Sequence, residues 1–525
     1  MLSVVIVWGK CKKLYFLSKK MACPFSKSNK NCIFVRPNVN GILCIGLINK
    51  GINNKYINNM KVKYLLLAAI MFANVNFAYS QSKGISDDVL KKVQQSYGNT
   101  PSDKAIRNAI HANDINKLAI NSDNSTAFDS YFSHRVNSKA ITDQKSSGRC
   151  WMFTGMNVMR AKAISKHNLP ANFQFSQVYT FFWDQLEKSN LFLQAIIDTR
   201  KQDMTDKTVE WLFKNPIGDG GQFTGVANLV SKYGLVPADV MPETYSSEHT
   251  SRMSNLLSLK LREYGLELRE MAVQKGMTEQ KLEARKAEML ETIYRILALN
   301  LGVPPSEFTW TRTDASGKPV STKKYTPKSF FEEYVNEDFS KYYMIMNDPT
   351  REYYKVYEIE YDRHVYDGEN WKYLNLPMEE IAEMAIASIK DSVMMYFSCD
   401  VSKFLDREKG FMDVNNFDYG SLMGTTFGMD KKQRVSTFAS GSSHAMTLCA
   451  VDLDESGKPK KWMVENSWGP NYGHNGFLIM TNEWFNEYMF RLVVEEKYIS
   501  AKTKKLLEQK AIMLPPWDPM FMPEE

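Results

Sequence analysis

The spacing of apolar residues changes from helical to strand-like along this chain, and the change limits the folds it can adopt. Residues 150–166 carry apolar side chains three and four positions apart, and Gln177–Ile197 is a second run of this kind. Beyond about residue 390, short apolar or alternating runs lie between Gly, Pro and Asp turns, at His444–Asp452, Lys461–Asn466 and Gly476–Thr481. Helices followed by strands predict an α+β fold with a helical lobe and a β lobe.

Two further segments flank the predicted helical lobe. Residues 82–135 are polar and helix-like, and they form an arm before it. Residues 251–301 have the pattern of a helical hairpin, in which one helix stops at Gly276 and the next follows a Thr278 cap. Thr309–Tyr325 suggests a strand pair. We therefore expect a long, mainly helical insertion between the two lobes.

The chain from Met60 has every part of a secretory signal peptide. Lys61 and Lys63 precede an apolar run over 64–73, and Ala78-Tyr79-Ser80 supplies the small residues of a cleavage site before Gln81. The prediction is a signal peptide over 60–80, a secreted or periplasmic location, and no membrane association after cleavage. Residues 1–59 are then an over-extended leader with Met60 as the true start; the alternative is a genuine N-terminal extension.

The net charge of +7 comes entirely from this leader. Residues 1–59 hold ten Lys or Arg and no Asp or Glu. Subtracting those ten and Lys61 and Lys63 from +7 leaves a net charge of −5 for residues 64–525. A mildly acidic protein gives no support for a nucleic-acid partner.

Cysteine usage argues against disulfides and metals. Only Cys150, Cys399 and Cys449 follow the leader, and they are far apart in the chain. Such spacing fits neither a disulfide framework nor a zinc site, so no metal or other cofactor is expected. Cys399 and Cys449 lie inside apolar, strand-like runs and are interpreted as buried structural residues.

Cys150 is the candidate nucleophile. It starts a predicted helix, where the helix dipole and free N–H groups favour a thiolate. A lone cysteine at this position is also compatible with a small buried apolar residue. The catalytic interpretation therefore depends on its partners.

His444 and Asn466 provide such partners. His444 opens a predicted strand, and Asn466-Ser467-Trp468-Gly469 follows it in the chain. An imidazolium can protonate the leaving amine, and an Asn oxygen can accept from the second ring N–H and fix the tautomer. Gln144, six residues before Cys150, can place a side-chain N–H beside the Cys150 backbone N–H as an oxyanion donor.

This order of residues resembles the papain-like cysteine peptidases, in which Cys precedes His and His precedes Asn. The separation from Cys150 to His444 is longer than papain's, which is about 130–150 residues. Within that class the chain is similar to the bleomycin hydrolase and aminopeptidase C family over roughly 85–525. The similar stretches are DQKSSGRCWMF (143–153), FSQVYTFFWDQLEKSNLFL (175–193), GDGGQF (218–223), VPPSEFTW (303–310), NDPTREYYKVYEIEY (347–361), SSHAMTLCAVD (442–452), VENSWG (464–469) and LPPWDPM (514–520).

The resemblance implies a set of residue roles and an assembly. Cys150 is the nucleophile, His444 the acid–base, Asn466 its orienting residue and Gln144 the oxyanion donor. The expected fold is papain-like, with a helical lobe, an antiparallel β-barrel-like lobe, a helical hook insertion and a C-terminal tail that enters the cleft. The expected assembly is a homohexamer acting on peptide substrates.

The predicted organisation assigns each range of the chain. The ranges are leader 1–59, signal peptide 60–80, N-terminal arm and nucleophile lobe 81–244, helical hook insertion 245–389, His/Asn lobe 390–513 and tail 514–525.

Two departures from the family concern the export signal and the tail. Family members are mostly cytosolic, and their tails typically end in small residues, whereas this one ends Phe521-Met522-Pro523-Glu524-Glu525. We expect the carboxylate of Glu525, or of a newly trimmed terminus, to gate the cleft and hold a substrate α-ammonium; the alternative is a frayed, solvated chain end. The expected activity is that of a cysteine aminopeptidase acting through a thioester. The alternatives are an endopeptidase with an open cleft and an inactive binding scaffold.

The signal-peptide prediction is tested by N-terminal sequencing of the protein purified from its native source. Cleavage after Ser80 should give a mature chain that begins at Gln81, because small residues precede that bond. A mature N-terminus within residues 1–59 would contradict both the cleavage site and the start at Met60.

Overall fold

The computed structural model describes residues 84–126, 129–137 and 140–521, together with the backbone of four short strands near the N-terminus. The chain divides into two compact units, Met1–Lys104 and Ala105–Glu525. The predicted signal peptide lies outside the described residues. None of the helices in the described part of the chain is long and apolar enough to cross a membrane.

The first unit contains a small antiparallel sheet and a helix. Its strands are Ser3–Val7, Tyr15–Leu17, Cys32–Pro37 and Leu43–Ile48, with the first and third at the centre. The helix Asp87–Ser96 begins where the Ser86 hydroxyl accepts from the Val89 N–H at 3.4 Å. Two acidic residues in its first turn suit the helix dipole. This helix confirms the helical character predicted for the arm.

The second unit is largely helical up to residue 334. The helices of the arm, after the first, are Pro101–Ala112 and Ile115–Ala119. Those that follow are Cys150–His167, Gln177–Asp198, Lys207–Lys214, Phe223–Tyr233, Tyr245–Glu248, Ser251–Ala272, Glu279–Leu301 and Pro327–Tyr334. Helices interspersed among the later strands are Met378–Lys390, Tyr419–Met423, Lys431–Ser436, Asn482–Tyr488 and Ala501–Leu507.

The predicted helical hairpin is present as Ser251–Ala272 and Glu279–Leu301. The Thr278 hydroxyl caps the second helix by accepting from the Lys281 N–H, and Gly302 ends it with a φ of +88°. Each helix buries one apolar stripe, and both helices pack against Gln177–Asp198. The strand pair predicted after it forms from Phe308–Thr313 and Pro319–Tyr325.

The described strands of the second unit, apart from that pair, form one twelve-stranded sheet. Its strands are His134–Arg135, Tyr342–Met346, Val356–Ile359, Lys372–Asn375, Met395–Cys399, Leu405–Asp406, Phe411–Met412, His444–Leu453, Pro459–Glu465, Phe477–Thr481, Met489–Glu495 and Ile512–Leu514. The order along the sheet begins at Leu405–Asp406 and ends at Ile512–Leu514, and His134–Arg135 pairs beside His444–Leu453.

This sheet differs from the sequence prediction in two respects. Three pairings are parallel, so the sheet is mainly but not wholly antiparallel. Apart from His134–Arg135, its strands also begin at Tyr342, well inside the range 245–389 that was expected to be mainly helical. Tyr342–Met346 lies between two other strands and is an apolar run without alternation, which a short sequence window does not separate from a buried helix segment.

The Cys150 helix lies where the helical and sheet parts of the second unit meet. Most of its residues are buried, including Cys150 and Trp151, which are fully buried. It packs against the strand His444–Leu453, and Cys150 shares a hydrophobic cluster with Ala445. The helix and strand predicted to carry the nucleophile and the base are therefore in direct contact.

Candidate active site

Cys150 is the first residue of its helix. Arg149 before it has non-helical backbone angles, and no acidic side chain lies in the first turn. Backbone N–H groups at this end have no partner within the helix, and the dipole is positive there. The position stabilises a thiolate, which is the form of cysteine that attacks a carbonyl carbon.

His444 is held by two contacts on the β side. Its Nε2 lies 2.8 Å from Asn466 Oδ1, and the Trp468 ring stacks on the imidazole with centroids 4.7 Å apart. Because Asn466 Oδ1 only accepts, Nε2 carries the hydrogen, and Nδ1 is the nitrogen available for proton exchange. Both His444 and Asn466 are buried, so Trp468 covers their hydrogen bond from water.

The Asn466 amide is itself oriented by the backbone. The Ser467 N–H donates to Asn466 Oδ1 at 2.8 Å, so this oxygen accepts from both the histidine and the chain. The Asn466 N–H donates to Gly476 O at 3.0 Å. These bonds fix the acceptor that sets the histidine tautomer.

Gln144 is connected to the same segment. Its Oε1 accepts from the Ser467 hydroxyl at 2.6 Å, and its backbone N–H donates to Ser467 O at 2.8 Å. Its Nε2 donates to Ser147 O at 2.7 Å, which uses one of two N–H groups. The second N–H is the one that the predicted oxyanion role of Gln144 would use.

The structure thus places four of the five predicted site residues at one junction. Hydrogen bonds connect Gln144, His444 and Asn466 through Ser467, and Cys150 begins the helix packed against the His444 strand. Glu525, the predicted gating residue, lies outside the described residues, and its role stays a prediction.

The other two cysteines after the leader have different surroundings. Cys399 and Cys449 lie buried in neighbouring strands, and both of them, like Cys150, are thiols. The Cys449 thiol donates to Met463 O at 3.4 Å, and burial raises its pKa far above that of an ordinary cysteine. This thiol remains neutral and unreactive at physiological pH.

The C-terminal segment, up to its last described residues, contacts two parts of the chain near the site. Arg491, a buried residue of the sheet, donates to Met520 O at 2.5 Å and to Gln222 Oε1 at 2.9 Å. A Cβ added at Gly441, three residues before His444, would lie 3.4 Å from Pro519 O. The described end of the tail therefore lies between the loop before His444 and the loop that ends at Gln222.

The tail has a second anchor upstream. Asp518 forms an ion pair with Arg351, and Met520 is almost fully buried. Sequence reasoning did not identify Arg351 or Arg491. The sequence did hold a signal for Arg491. This residue lies inside the apolar strand Met489–Glu495, and a buried charge requires a partner.

Comparison with known proteins gives the family. A model of the Peptidase C1-like family matches residues 84–521. Aminopeptidase C of Lactobacillus delbrueckii subsp. lactis is 37% identical over 444 residues, covering 84% of this chain and 98% of that protein. Bleomycin hydrolase of Homo sapiens is 37% identical over 450 residues, with the same two coverages.

The chain belongs to the bleomycin hydrolase and aminopeptidase C family. A solved structure, PepW from Lactobacillus rhamnosis HN001, is 36% identical and covers 84% of this chain and 100% of its own, with a TM-score of 0.81. The fold is papain-like with mixed helices and strands, and the protein is a cysteine-type peptidase, as the resemblance indicated.

Selective alkylation tests the nucleophile. Iodoacetamide at pH 6 should label Cys150 much faster than Cys399 or Cys449, as measured by peptide mapping. All three thiols are buried, so the difference comes from ionisation at the helix start. Cys150→Ala should remove the fast phase alone. Equal labelling of all three cysteines would contradict an activated thiol.

Replacement of Gln144 tests the oxyanion site. Gln144→Ala should lower kcat by about 10²–10³, the usual loss for one oxyanion donor, with little change in KM. Ser467→Ala removes only the bond that orients Gln144 Oε1, so its loss should be smaller. A Gln144→Ala enzyme with the wild-type kcat would exclude this role.

Proposed function

We propose that the protein is an exported cysteine aminopeptidase that removes N-terminal residues from peptides through a thioester acyl-enzyme. The names of its relatives, aminopeptidase C and aminopeptidase W among them, support this activity. The arrangement of Cys150, His444, Asn466 and Gln144 supplies the groups that the reaction needs.

The reaction proceeds in two stages. The Cys150 thiolate attacks the first peptide carbonyl, and the oxyanion forms against the Gln144 side-chain N–H and the Cys150 backbone N–H. His444 Nδ1 then donates its proton to the leaving amine, which departs as the shortened peptide and leaves a thioester.

Water completes the cycle. His444 Nδ1 removes a proton from a water molecule, whose oxygen attacks the thioester carbonyl, and the free amino acid is released as the thiolate returns. Asn466 exchanges no proton; it keeps Nδ1 directed to the reaction by holding Nε2 at 2.8 Å.

The position of the tail is the single observation that carries the exopeptidase assignment. An aminopeptidase must block the cleft beyond the first substrate residue and hold the α-ammonium with a negative group. Arg491 fixes Met520 next to the loop of Gln222, and five residues follow Met520. We infer that these residues close the cleft and that the Glu525 carboxylate meets the α-ammonium.

Location and assembly are further parts of the proposal. The signal peptide at 60–80 supports export, and the negative net charge of residues 64–525 supports peptide rather than nucleic-acid partners. The family resemblance supports a homohexamer. Export exposes the Cys150 thiol to oxidation, so activity should depend on a reductant.

The two alternatives are an open-cleft endopeptidase and an inactive scaffold. The buried Met520 and its bond to Arg491 argue against an open cleft. The bond between His444 and Asn466 argues against a scaffold, because a buried, covered histidine–amide pair has a direct use in proton transfer.

Two substrates and one deletion test the proposal. The enzyme should hydrolyse a free-amino aminoacyl reporter and not its N-acetylated form, because the acetyl group removes the charge and occupies the blocked part of the cleft. Deleting residues 521–525 should abolish this preference and allow cleavage inside N-blocked peptides. Glu524→Gln is the matched control, since it keeps the tail length. An unchanged preference after deletion would contradict the tail model.

A further inference from the structure

The loop Gly218–Gly221 contacts the chain on both sides of Cys150. The Gly148 N–H, two residues before the nucleophile, donates to Asp219 Oδ2 at 3.3 Å. The Trp151 indole N–H, one residue after it, donates to Asp219 O at 2.8 Å. A single residue therefore accepts hydrogen bonds from both flanks of the nucleophile.

The Asp219 carboxylate is fixed at its other oxygen. Asp219 Oδ1 accepts from the Ser254 hydroxyl at 2.7 Å, and Ser254 belongs to the first helix of the hairpin. The carboxylate thus joins the segment before Cys150 to a rigid helix, which limits its freedom to move with the loop.

Lys188 holds the loop backbone through two hydrogen bonds. Its ammonium donates to Gly218 O at 3.0 Å and to Gly220 O at 2.6 Å, the carbonyls on either side of Asp219. It also pairs with the fully buried Asp184 at 2.9 Å. One cation therefore sets the direction of the two carbonyls that flank Asp219.

His364 completes this support. Its Nδ1 lies 2.6 Å from Asp184 Oδ1, and its ring lies 4.6 Å from the Trp151 ring. Burial, and next the charge of Lys188, lowers the pKa of His364, so the ring is neutral and its Nδ1–H donates. Burial alone would raise the pKa of Asp184, but Lys188 and His364 outweigh it and hold that pKa below its usual value.

The loop packs on these rings without a gap. A Cβ at Gly221 would collide with His364 Cε1 and lie 2.6 Å from Trp151 Cε2. In the helix that follows the loop, a Cβ at Gly225 would likewise lie 2.6 Å from His364 Cδ2. Close packing and hydrogen bonding together fix the position of the loop relative to Trp151.

We infer that Asp219 is a positioning residue for Cys150 and that Lys188, Asp184 and His364 keep it in place. This inference rests on the proposed cysteine-peptidase function and identifies what sets the attack geometry of its nucleophile. Asp219 acts through Gly148 and Trp151, its two hydrogen-bond partners beside the nucleophile. A displacement of about 1 Å at a reacting group can cost about 100-fold in rate.

The test compares Asp219→Ala with Asp219→Asn. Both variants remove the charge, but an asparagine can still accept from the Gly148 N–H and donate to the Ser254 hydroxyl. The matched control is Asp239→Ala, which removes an exposed carboxylate a short distance along the chain. Each enzyme is assayed as the full chain, with kcat expressed per titrated thiol.

The three variants should differ in kcat, which distinguishes a loss of hydrogen-bond geometry from a loss of charge. Asp219→Ala should lose about 10–100-fold in kcat with KM little changed, as for a misplaced reacting group. Asp219→Asn should retain most of its kcat, and Asp239→Ala all of it. An unchanged kcat per thiol in Asp219→Ala, or an equal loss in Asp219→Asn, would overturn the inference.

Two further measurements keep the test informative. If Asp219→Ala does not fold, Ser254→Ala removes only one contact of the carboxylate and should show a smaller loss of the same kind; no loss would count against positioning. The alkylation rate of Cys150 at pH 6 should fall in Asp219→Ala but not in Asp219→Asn. This readout needs no turnover, so it distinguishes failure of the inference from failure of the proposed peptidase activity.

Discussion

A buried ion pair joins the helix that carries Cys150 to the strand that leads into Asn466. Arg160 and Glu465 lie 3.1 Å apart with side chains almost completely buried. Burial lowers the pKa of Arg160 while Glu465 opposes that shift. Removing one partner of such a pair leaves an unpaired buried charge, which costs about 3–5 kcal/mol. The pair therefore fixes how the helix meets the sheet, and the relation of nucleophile to base depends on that contact.

Hydrogen bonds between the packed segments hold the candidate site residues in place. Gln144 and Ser467 pair through backbone and side chain, so Gln144, the predicted oxyanion donor, is tied to the segment that carries Asn466. Asp219 accepts from both flanks of Cys150. Each candidate reacting group is thus held by a neighbour that has no proposed part in the reaction. Preorganisation of this kind is how protein dipoles stabilise a developing charge without reorganising during the reaction.

The tail uses the same sheet that carries His444. Arg491 lies in the strand Met489–Glu495 and bonds both Met520 and Gln222, so it connects sheet, tail and helical part. The guanidinium also lies 4.3 Å from the centre of the Trp371 ring. This buried cation fixes the tail at Met520 by donating to its carbonyl. Substrate selection in the proposed enzyme therefore depends on the same framework as the chemistry.

The sequence by itself predicted the main helices and three strands around the site, and it gave Cys150, His444, Asn466 and Gln144 as the candidate residues. Those features are local: apolar spacing, caps, and a residue order that few other chemistries require. It did not determine that Tyr342–Met346 joins the sheet, because an apolar run without alternation has no distinguishing period. Nor did it reveal Asp219, Asp184 and His364, or the arginines that hold the tail. Their roles arise from contacts between distant segments, such as the 180 positions that separate Asp184 from His364. Only the tertiary structure brings such partners together. A buried charge is stable only beside a partner, and sequence spacing does not show which residue that partner is.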